Sequence, residues 1–225
     1  MTDHPIQMPD TLRTAVARDL RPVTPLAPPS KRVVIVAPVA IVLLFASAIV
    51  FGLRRDAPAL GPWLTWTAST LQMLLGLALI MAALREAVPG TMLSRRALGI
   101  VFGTAAIAML SITFMTWVVS PTTIGPGFVR YVWSVCVAGG VLSALPVVAL
   151  SGWLAARAFP LRPRIAGAIY GLGAGLIADA GWRLFCHFSD PSHVLGAHAL
   201  AIALVALLGS RVLRFPGSQV LVREP

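Results

Sequence analysis

The sequence predicts an all-α protein that crosses a membrane six times, and three observations support that fold class. The chain has 225 residues, of which 57% are hydrophobic and only 12% are charged, about half the charged fraction of an ordinary soluble domain. Six apolar runs are each long enough to cross the hydrocarbon core as a helix, which takes about 20 residues. No run shows the alternation over about ten residues that is typical of a barrel strand. A helical bundle, which pairs its backbone groups internally, is therefore the expected fold.

The six predicted spans follow one another through short connections that are rich in Pro, Gly or Arg. We place these spans at 33–53, 63–84, 97–119, 132–156, 164–186 and 194–213. The connections leave no room for a soluble domain between spans. The chain accordingly divides into three regions, which are a leader at 1–32, a transmembrane domain at 33–213 and a tail at 214–225.

The distribution of basic residues predicts the orientation of the bundle. The net charge is +10, and an even number of spans places both termini on the same side. All but four of the 18 Lys and Arg residues fall on that side, and the exceptions are Arg54, Arg55, Arg130 and Arg183. Because cytoplasmic segments carry the excess of Lys and Arg, we expect both termini in the cytoplasm. The basic excess is then a topology signal, and direct binding to nucleic acid is not expected.

The leader contains a short amphipathic pattern followed by prolines. Leu12, Val16 and Leu20 recur every four residues and would form one apolar stripe on a helix. The prolines that follow would stop the helix and favour an extended tether; they are Pro22, Pro25, Pro28 and Pro29. A short amphipathic helix on a tether suits a groove on a soluble partner. The alternative is a helix on the inner leaflet, where Arg13 and Arg18 would meet lipid headgroups.

The two cysteines of the chain are predicted to lie at the same membrane face. Cys186 borders the connection after the fifth span, and Cys136 lies about five residues into the fourth span, about 7 Å deep. With cytoplasmic termini this face is extracytoplasmic and oxidising. A free cysteine is commonly a small buried hydrophobe, but a neighbouring imidazolium favours the thiolate, which oxidises or binds soft metals. We predict that the pair is a sensor, with a structural disulfide as the alternative.

Histidines close to Cys186 indicate a candidate metal site. Thiolate and imidazole groups build tetrahedral zinc sites, and the candidate ligands here are Cys136, Cys186, His187 and His193. The alternative is that the histidines only solvate the connection. His198, inside the start of the sixth span, fits a packing residue as well as a ligand.

The fifth span carries charged residues and a glycine pattern. Asp179 and Arg183 are four apart, the spacing at which side chains meet on one helix face, and charges at membrane depth mark function or paired structure. This pair either carries a signal or holds the helices together. Gly167, Gly171 and Gly175 repeat a spacing that lets helices approach closely.

Several short motifs resemble the NrsF family of membrane anti-sigma factors. They are the leader ARDLRPVTPLAPP, a cysteine opening the fourth span, the ALP and LRPRIAGAIYGLGAG stretches, and the FCHFSDPS connection. The resemblance covers nearly the whole chain. It implies a cytoplasmic N-terminal segment that holds an extracytoplasmic-function (ECF) sigma factor, and two periplasmic-side cysteines that sense stress such as heavy metals. By position those cysteines are Cys136 and Cys186, and the matching leader motif is Asp19, Leu20, Pro22 and Val23.

We therefore expect a multi-pass regulator of the bacterial inner membrane, with the lipid bilayer and a cytoplasmic ECF sigma factor as its partners. No enzymatic activity and no cofactor are expected. One alternative is a membrane thiol oxidoreductase, which would be expected to use a close CxxC pair or two cysteine pairs. The other is a small metal transporter, which would be expected to show paired broken helices or an internal repeat. The sequence has neither pattern.

Overall fold

The computed structural model describes residues 9–19 and 25–212, and within those ranges it is helical and contains no strand. A short helix, α1 (Asp10–Asp19), lies in the leader. The six helices that are long and apolar enough to cross a membrane are α2 (Pro29–Phe51), α3 (Ala57–Glu86), α4 (Arg95–Val119), α5 (Pro126–Ala156), α6 (Pro163–Phe185) and α7 (Pro191–Val212). The predicted all-α fold with six candidate spans is confirmed. The tail at 214–225 lies outside the described residues.

All six helices begin earlier than the predicted apolar runs, and at four of them a proline explains the earlier start. Helices α2, α5, α6 and α7 each begin at a proline. Proline is well suited to the first helical turn, because its φ angle is already helical and the N–H that it lacks would have no partner there. Hydropathy alone starts the same helices a few residues later, since proline and its polar neighbours interrupt the apolar run.

Helix α6 is the centre of the bundle, and α4 lies at its edge. In the most apolar window of each helix, 83% of α6 is buried but only 17% of α4. Glycines allow α6 to approach its neighbours closely. A Cβ atom built on Gly171 would lie 2.5 Å from the carbonyl oxygen of Val205 in α7, and one on Gly173 would lie 2.6 Å from that of Gly76 in α3. Helix α6 therefore packs between α3 and α7, with α2 and α5 also against it.

The ends of the helices form two opposite faces of the bundle. We call one the cysteine face, which comprises the connections 52–56, 120–125 and 186–190. We call the other the leader face, which comprises the start of α2 and the connections 87–94 and 157–162.

Hydrogen bonds and ion pairs tie the connections within each face. On the cysteine face the backbone N–H of Asp190 donates to the carbonyl of Thr122 at 3.1 Å. On the leader face the guanidinium of Arg162 donates to the carbonyl of Leu93 at 2.8 Å and forms an ion pair with Glu86, the last residue of α3, at 2.6 Å. The connections are therefore held to each other across the helix bundle rather than only to the helices that they join.

Candidate functional site

The two cysteines meet in a buried position at the cysteine face. Cys136 lies in α5, and Cys186 follows the last residue of α6, where its backbone N–H closes the helix on the carbonyl of Trp182 at 2.8 Å. Their sulfur atoms are 3.9 Å apart. Both thiols are free and buried, and apolar groups, including Trp133 and Phe188, pack around them. A disulfide requires about 2.05 Å between the sulfur atoms, so this geometry is that of two neighbouring thiols.

Two histidines from the start of α7 complete a group of four. The Nε2 atom of His193 lies 3.5 Å from the sulfur of Cys186. One ligand atom from each of Cys136, Cys186, His193 and His198 lies within 4.8 Å of the other three, and all four residues are buried. The structure thus brings together three of the four residues in the predicted ligand set, and the fourth member of the group is His198 instead of His187.

The local backbone explains this exchange of histidines. Cys186 is extended, with φ −70° and ψ 113°, so the next residue points to the other side of the chain. The ring of His187 accordingly packs against Phe188, with the ring centroids 4.2 Å apart. Residues five apart on a regular α-helix point about 140° away from each other, but Val194–His198 forms a π-helical turn. This wider turn brings His193 and His198 toward one side.

Asp179 holds His198 in place. Its Oδ1 atom lies 2.6 Å from Nδ1 of His198, and its Oδ2 atom accepts hydrogen bonds from Arg183 at 2.8 Å and from Gln72 of α3 at 2.6 Å. Asp179 is only 4% exposed, and a buried carboxylate is costly unless it has partners. Gln72 of α3 and His198 of α7 are two such partners on neighbouring helices. Sequence reasoning paired Asp179 with Arg183 but missed Gln72, whose signal is an amide inside an otherwise apolar span.

Arg183 extends the network to the peripheral helix α4. Its guanidinium lies 3.1 Å from the sulfur of Met109 and 3.5 Å from the hydroxyl of Thr113. A buried cation needs compensating groups. These contacts and the ion pair with Asp179 compensate the charge of Arg183. The network therefore joins α3, α4, α6 and α7 beside the cysteines.

Arg54 fixes the end of α6 from the first connection. It forms two bonds to the carboxylate of Asp56, at 2.7 and 2.8 Å, and its backbone N–H donates to the carbonyl of Leu184 at 2.8 Å. Burial alone would raise the pKa of Asp56, but the hydrogen bonds and the charge of Arg54 hold that pKa below its usual range. The ion pair thus stays charged at neutral pH and holds the segment that leads to Cys186.

Two ring nitrogens of this group are buried and have no hydrogen-bond partner among the described residues. They are Nδ1 of His193 and Nε2 of His198. With the proton of His198 on Nδ1, where it is donated to Asp179, the lone pair of Nε2 is free. A buried polar atom without a partner is costly, so the arrangement is suited to a ligand that accepts that lone pair.

The leader presents a different candidate surface. On α1 the side chains of Leu12 and Val16 are 51% and 47% exposed, so the described residues leave the predicted apolar stripe uncovered. Asp19 is the last residue of α1. The other predicted partner-binding residues, Leu20, Pro22 and Val23, lie outside the described residues.

Arg32 ties the start of the first span to α5. It is 3% exposed, and its guanidinium donates to the carbonyl of Leu154 near the end of α5. Arg32, three residues after the last proline of the leader tether, is therefore attached to the helix that carries Cys136 toward its other end.

Residues 16–215 match the family model NrsF, whose description is negative regulator of sigma F. Neither the comparison with curated proteins nor that with solved structures finds a match.

Proposed function

This chain belongs to the NrsF family of negative regulators of sigma F, and we propose that it is an anti-sigma factor of the bacterial inner membrane. In this proposal the cytoplasmic leader holds an ECF sigma factor, and thiol-directed stress on the periplasmic side releases it. The observation that carries the proposal is the thiol pair, whose sulfur atoms lie 3.9 Å apart on the face opposite the leader. Family membership favours such a regulator over a thiol oxidoreductase or a metal transporter.

The uncovered stripe of α1 supports docking of a protein partner. Leu12 and Val16 lie one helical turn apart and are about half exposed. An amphipathic helix binds a partner by laying such an apolar stripe into a groove. The stripe is continued in the sequence by Leu20. Arg13 borders it, where it would meet acidic groups at the rim of a sigma-factor groove.

Chemistry at the thiols supplies the switch. An oxidant that takes two electrons and two protons from Cys136 and Cys186 would leave a disulfide and draw the sulfur atoms together by nearly 2 Å. A soft metal ion would instead bind both thiolates. Either event restrains α5 against the end of α6. A tenfold loss of affinity for the sigma factor needs only about 1.4 kcal/mol of coupling.

Helix α5 is the element that reaches from the thiols to the leader. Cys136 and Leu154 are 18 residues apart on it, about 27 Å along a helix. The Arg32 guanidinium contacts the carbonyl of Leu154, so a shift of α5 changes the anchor of the leader. Signal and partner are thereby joined through one continuous helix.

The test reads transcription from promoters of the regulated sigma factor in cells that carry or lack this chain. Cells without the chain should transcribe these promoters constitutively. Cells with it should stay low and rise when cadmium or a thiol oxidant is added. Equal transcription with and without the chain would contradict the regulator.

Orientation is tested separately. A reporter that is active only in the cytoplasm, fused to either terminus, should be active in both fusions because most basic residues lie on that side. Inactivity at either end would overturn the proposed orientation.

A further inference from the structure

We infer that Cys136, Cys186, His193 and His198 form a tetrahedral site for a soft or borderline divalent cation such as Zn²⁺ or Cd²⁺. Asp179 acts in this site as a positioning residue for His198. The inference deepens the proposed function, and only its consequence for the sigma factor rests on that function. Binding of the cation itself depends on the four side chains alone.

The distances within the group fit tetrahedral coordination. Zinc binds cysteine sulfur at about 2.3 Å and histidine nitrogen at about 2.0–2.1 Å. At tetrahedral angles these bond lengths place two sulfur ligands about 3.8 Å apart, and a sulfur and a nitrogen ligand about 3.6 Å apart. The observed distances are 3.9 Å between Cys136 and Cys186 and 3.5 Å between Cys186 and Nε2 of His193. All four ligand atoms lie within 4.8 Å of one another, so a cation can be held once the more distant ligand atoms draw inward.

The outer partners of the site are those of a metal-binding histidine. A ligating histidine commonly donates its other ring N–H to a carboxylate, which orients the ring and raises the basicity of the ligand nitrogen. His198 does so through Nδ1 to Asp179 at 2.6 Å. Gln72 and Arg183 in turn hold the carboxylate. The free nitrogen of His198, Nε2, is the buried atom without a partner.

The backbone around the histidines is also shaped for the site. The π-helical turn Val194–His198 brings His198 toward His193, and such turns recur at functional sites. Gly196 lies inside this turn, and a Cβ atom built there would collide with the ring of Trp133. Only glycine lets the turn sit this close to α5, which carries Cys136.

Charge balance and access from the cysteine face also favour a cation at this site. Binding of a divalent cation by two thiols releases two protons, so the two thiolates balance the charge of the cation in a buried position. A cleft at the cysteine face is lined by Tyr131, Val135 and Phe185 and reaches both cysteines. This cleft is a route by which an ion from the cysteine face enters.

The experiment measures Cd²⁺ binding by equilibrium dialysis on the purified full-length chain in lipid nanodiscs. The unaltered chain should bind one Cd²⁺, and binding should be lost or weakened at least tenfold in Cys136→Ser, Cys186→Ser, His193→Ala and His198→Ala. His187→Ala is the matched control, because it removes a histidine next to Cys186 that lies outside the group, and it should bind normally. Absence of binding by the unaltered chain, or equal binding by His198→Ala, would overturn the four-ligand site.

Co²⁺ supplies a spectroscopic test of the positioning role. Co²⁺ in the unaltered chain should give the visible absorption of tetrahedral sulfur-ligated cobalt. Asp179→Asn should bind about 10- to 100-fold more weakly and change this spectrum, whereas Asp179→Glu should restore part of it. An unchanged spectrum and affinity in Asp179→Asn would contradict the role of Asp179.

The same nanodiscs separate this inference from the proposed function. The amount of bound sigma factor is measured in each sample with and without Cd²⁺. If the chain binds Cd²⁺ through the four residues and still retains its sigma factor, the site stands and metal-triggered release is wrong. If Cd²⁺, at a concentration that saturates only the unaltered chain, releases the sigma factor equally from His198→Ala, release does not pass through this site and the proposed link between the site and the sigma factor is wrong.

Discussion

The cysteine face and helix α1 both carry groups that have no partner among the described residues, but these groups are buried and polar at the cysteine face and exposed and apolar on α1. At the cysteine face four ligand side chains are at most 6% exposed and converge on one point. On α1 the apolar side chains Leu12 and Val16 are about half exposed and converge on nothing within the described residues. A buried polar group is completed by something as small as an ion, whereas an exposed apolar stripe is completed by a protein surface. The difference suggests that signal and partner enter the molecule at opposite ends.

We expect the largest effect on sigma-factor binding from a substitution on the apolar stripe of α1. Leu12→Asp puts a charge on the stripe, and burial of that charge in an apolar groove is costly. We expect binding of the sigma factor to weaken by about 30-fold or more, as for a central interface residue worth about 2 kcal/mol. Co-purification from membranes measures the retained sigma factor.

Thr14→Asp is the matched control for that change. It adds the same charge to the same helix but on the side opposite Leu12, and it should bind normally. Equal retention of the sigma factor by Leu12→Asp and the unaltered chain would move the docking site away from α1.

Removal of either thiol should abolish the response of the cysteine face to cadmium. Cys136→Ser and Cys186→Ser keep the size of the side chain but remove disulfide chemistry and soft-metal binding. Each variant should reach the membrane, hold the sigma factor and lose the transcriptional response to cadmium. Because a pair fails when one member is missing, the double variant should be no worse than either single one. A normal response in the double variant would make the thiols packing residues.

A substitution in the connection between the cysteine face and the leader should have a smaller effect than a substitution in either region. Arg32→Met keeps the length and the apolar stem of the side chain but loses the hydrogen bond to the carbonyl of Leu154. We expect Cd²⁺ binding to persist while cadmium-induced release falls by about tenfold, the effect of about 1.4 kcal/mol.

The neighbouring Lys31→Met is the control for Arg32→Met, because Lys31 is exposed and also loses its charge. Release is measured as free sigma factor after addition of Cd²⁺. If Arg32→Met releases the sigma factor as readily as Lys31→Met does, α5 does not act on the leader through Arg32.

We expect the smallest effect from a substitution of Gln72, which holds Asp179 and thereby supports the metal site only indirectly. Gln72→Leu removes one hydrogen bond to Asp179 but leaves the contacts of that carboxylate with Arg183 and His198. Loss of one hydrogen bond to a charged group costs about 1.5–3 kcal/mol, part of which the remaining partners recover, so Cd²⁺ affinity should fall by only a few fold. A loss as large as that in His198→Ala would show that Gln72 matters beyond support.

The fold was predictable because hydropathy and length decide a membrane helix, and proline explains the few residues by which α2 and α5 begin early. The site was predictable only in part. Cys136 and Cys186 stand out as the only thiols, and topology alone predicts their common face. His198 required knowledge of the π-helical turn, since regular helical spacing directs it away from His193.

Gln72 was missed because contacts between distant spans leave no periodic trace in the sequence. Only the packing of α3 against α6 brings its amide to Asp179. Polar groups that lie singly within apolar spans are therefore the residues for which sequence reasoning most needs the structure.

We expect occupation of the cysteine face to lower the affinity of the leader for the sigma factor. The most direct measurement is the dissociation constant of the sigma factor for the full-length chain in nanodiscs, determined with and without saturating Cd²⁺. This coupling predicts affinity at least tenfold weaker with Cd²⁺ for the unaltered chain, and no change for the Cys136→Ser, Cys186→Ser double variant. The same dissociation constant with and without Cd²⁺ for the unaltered chain would contradict it.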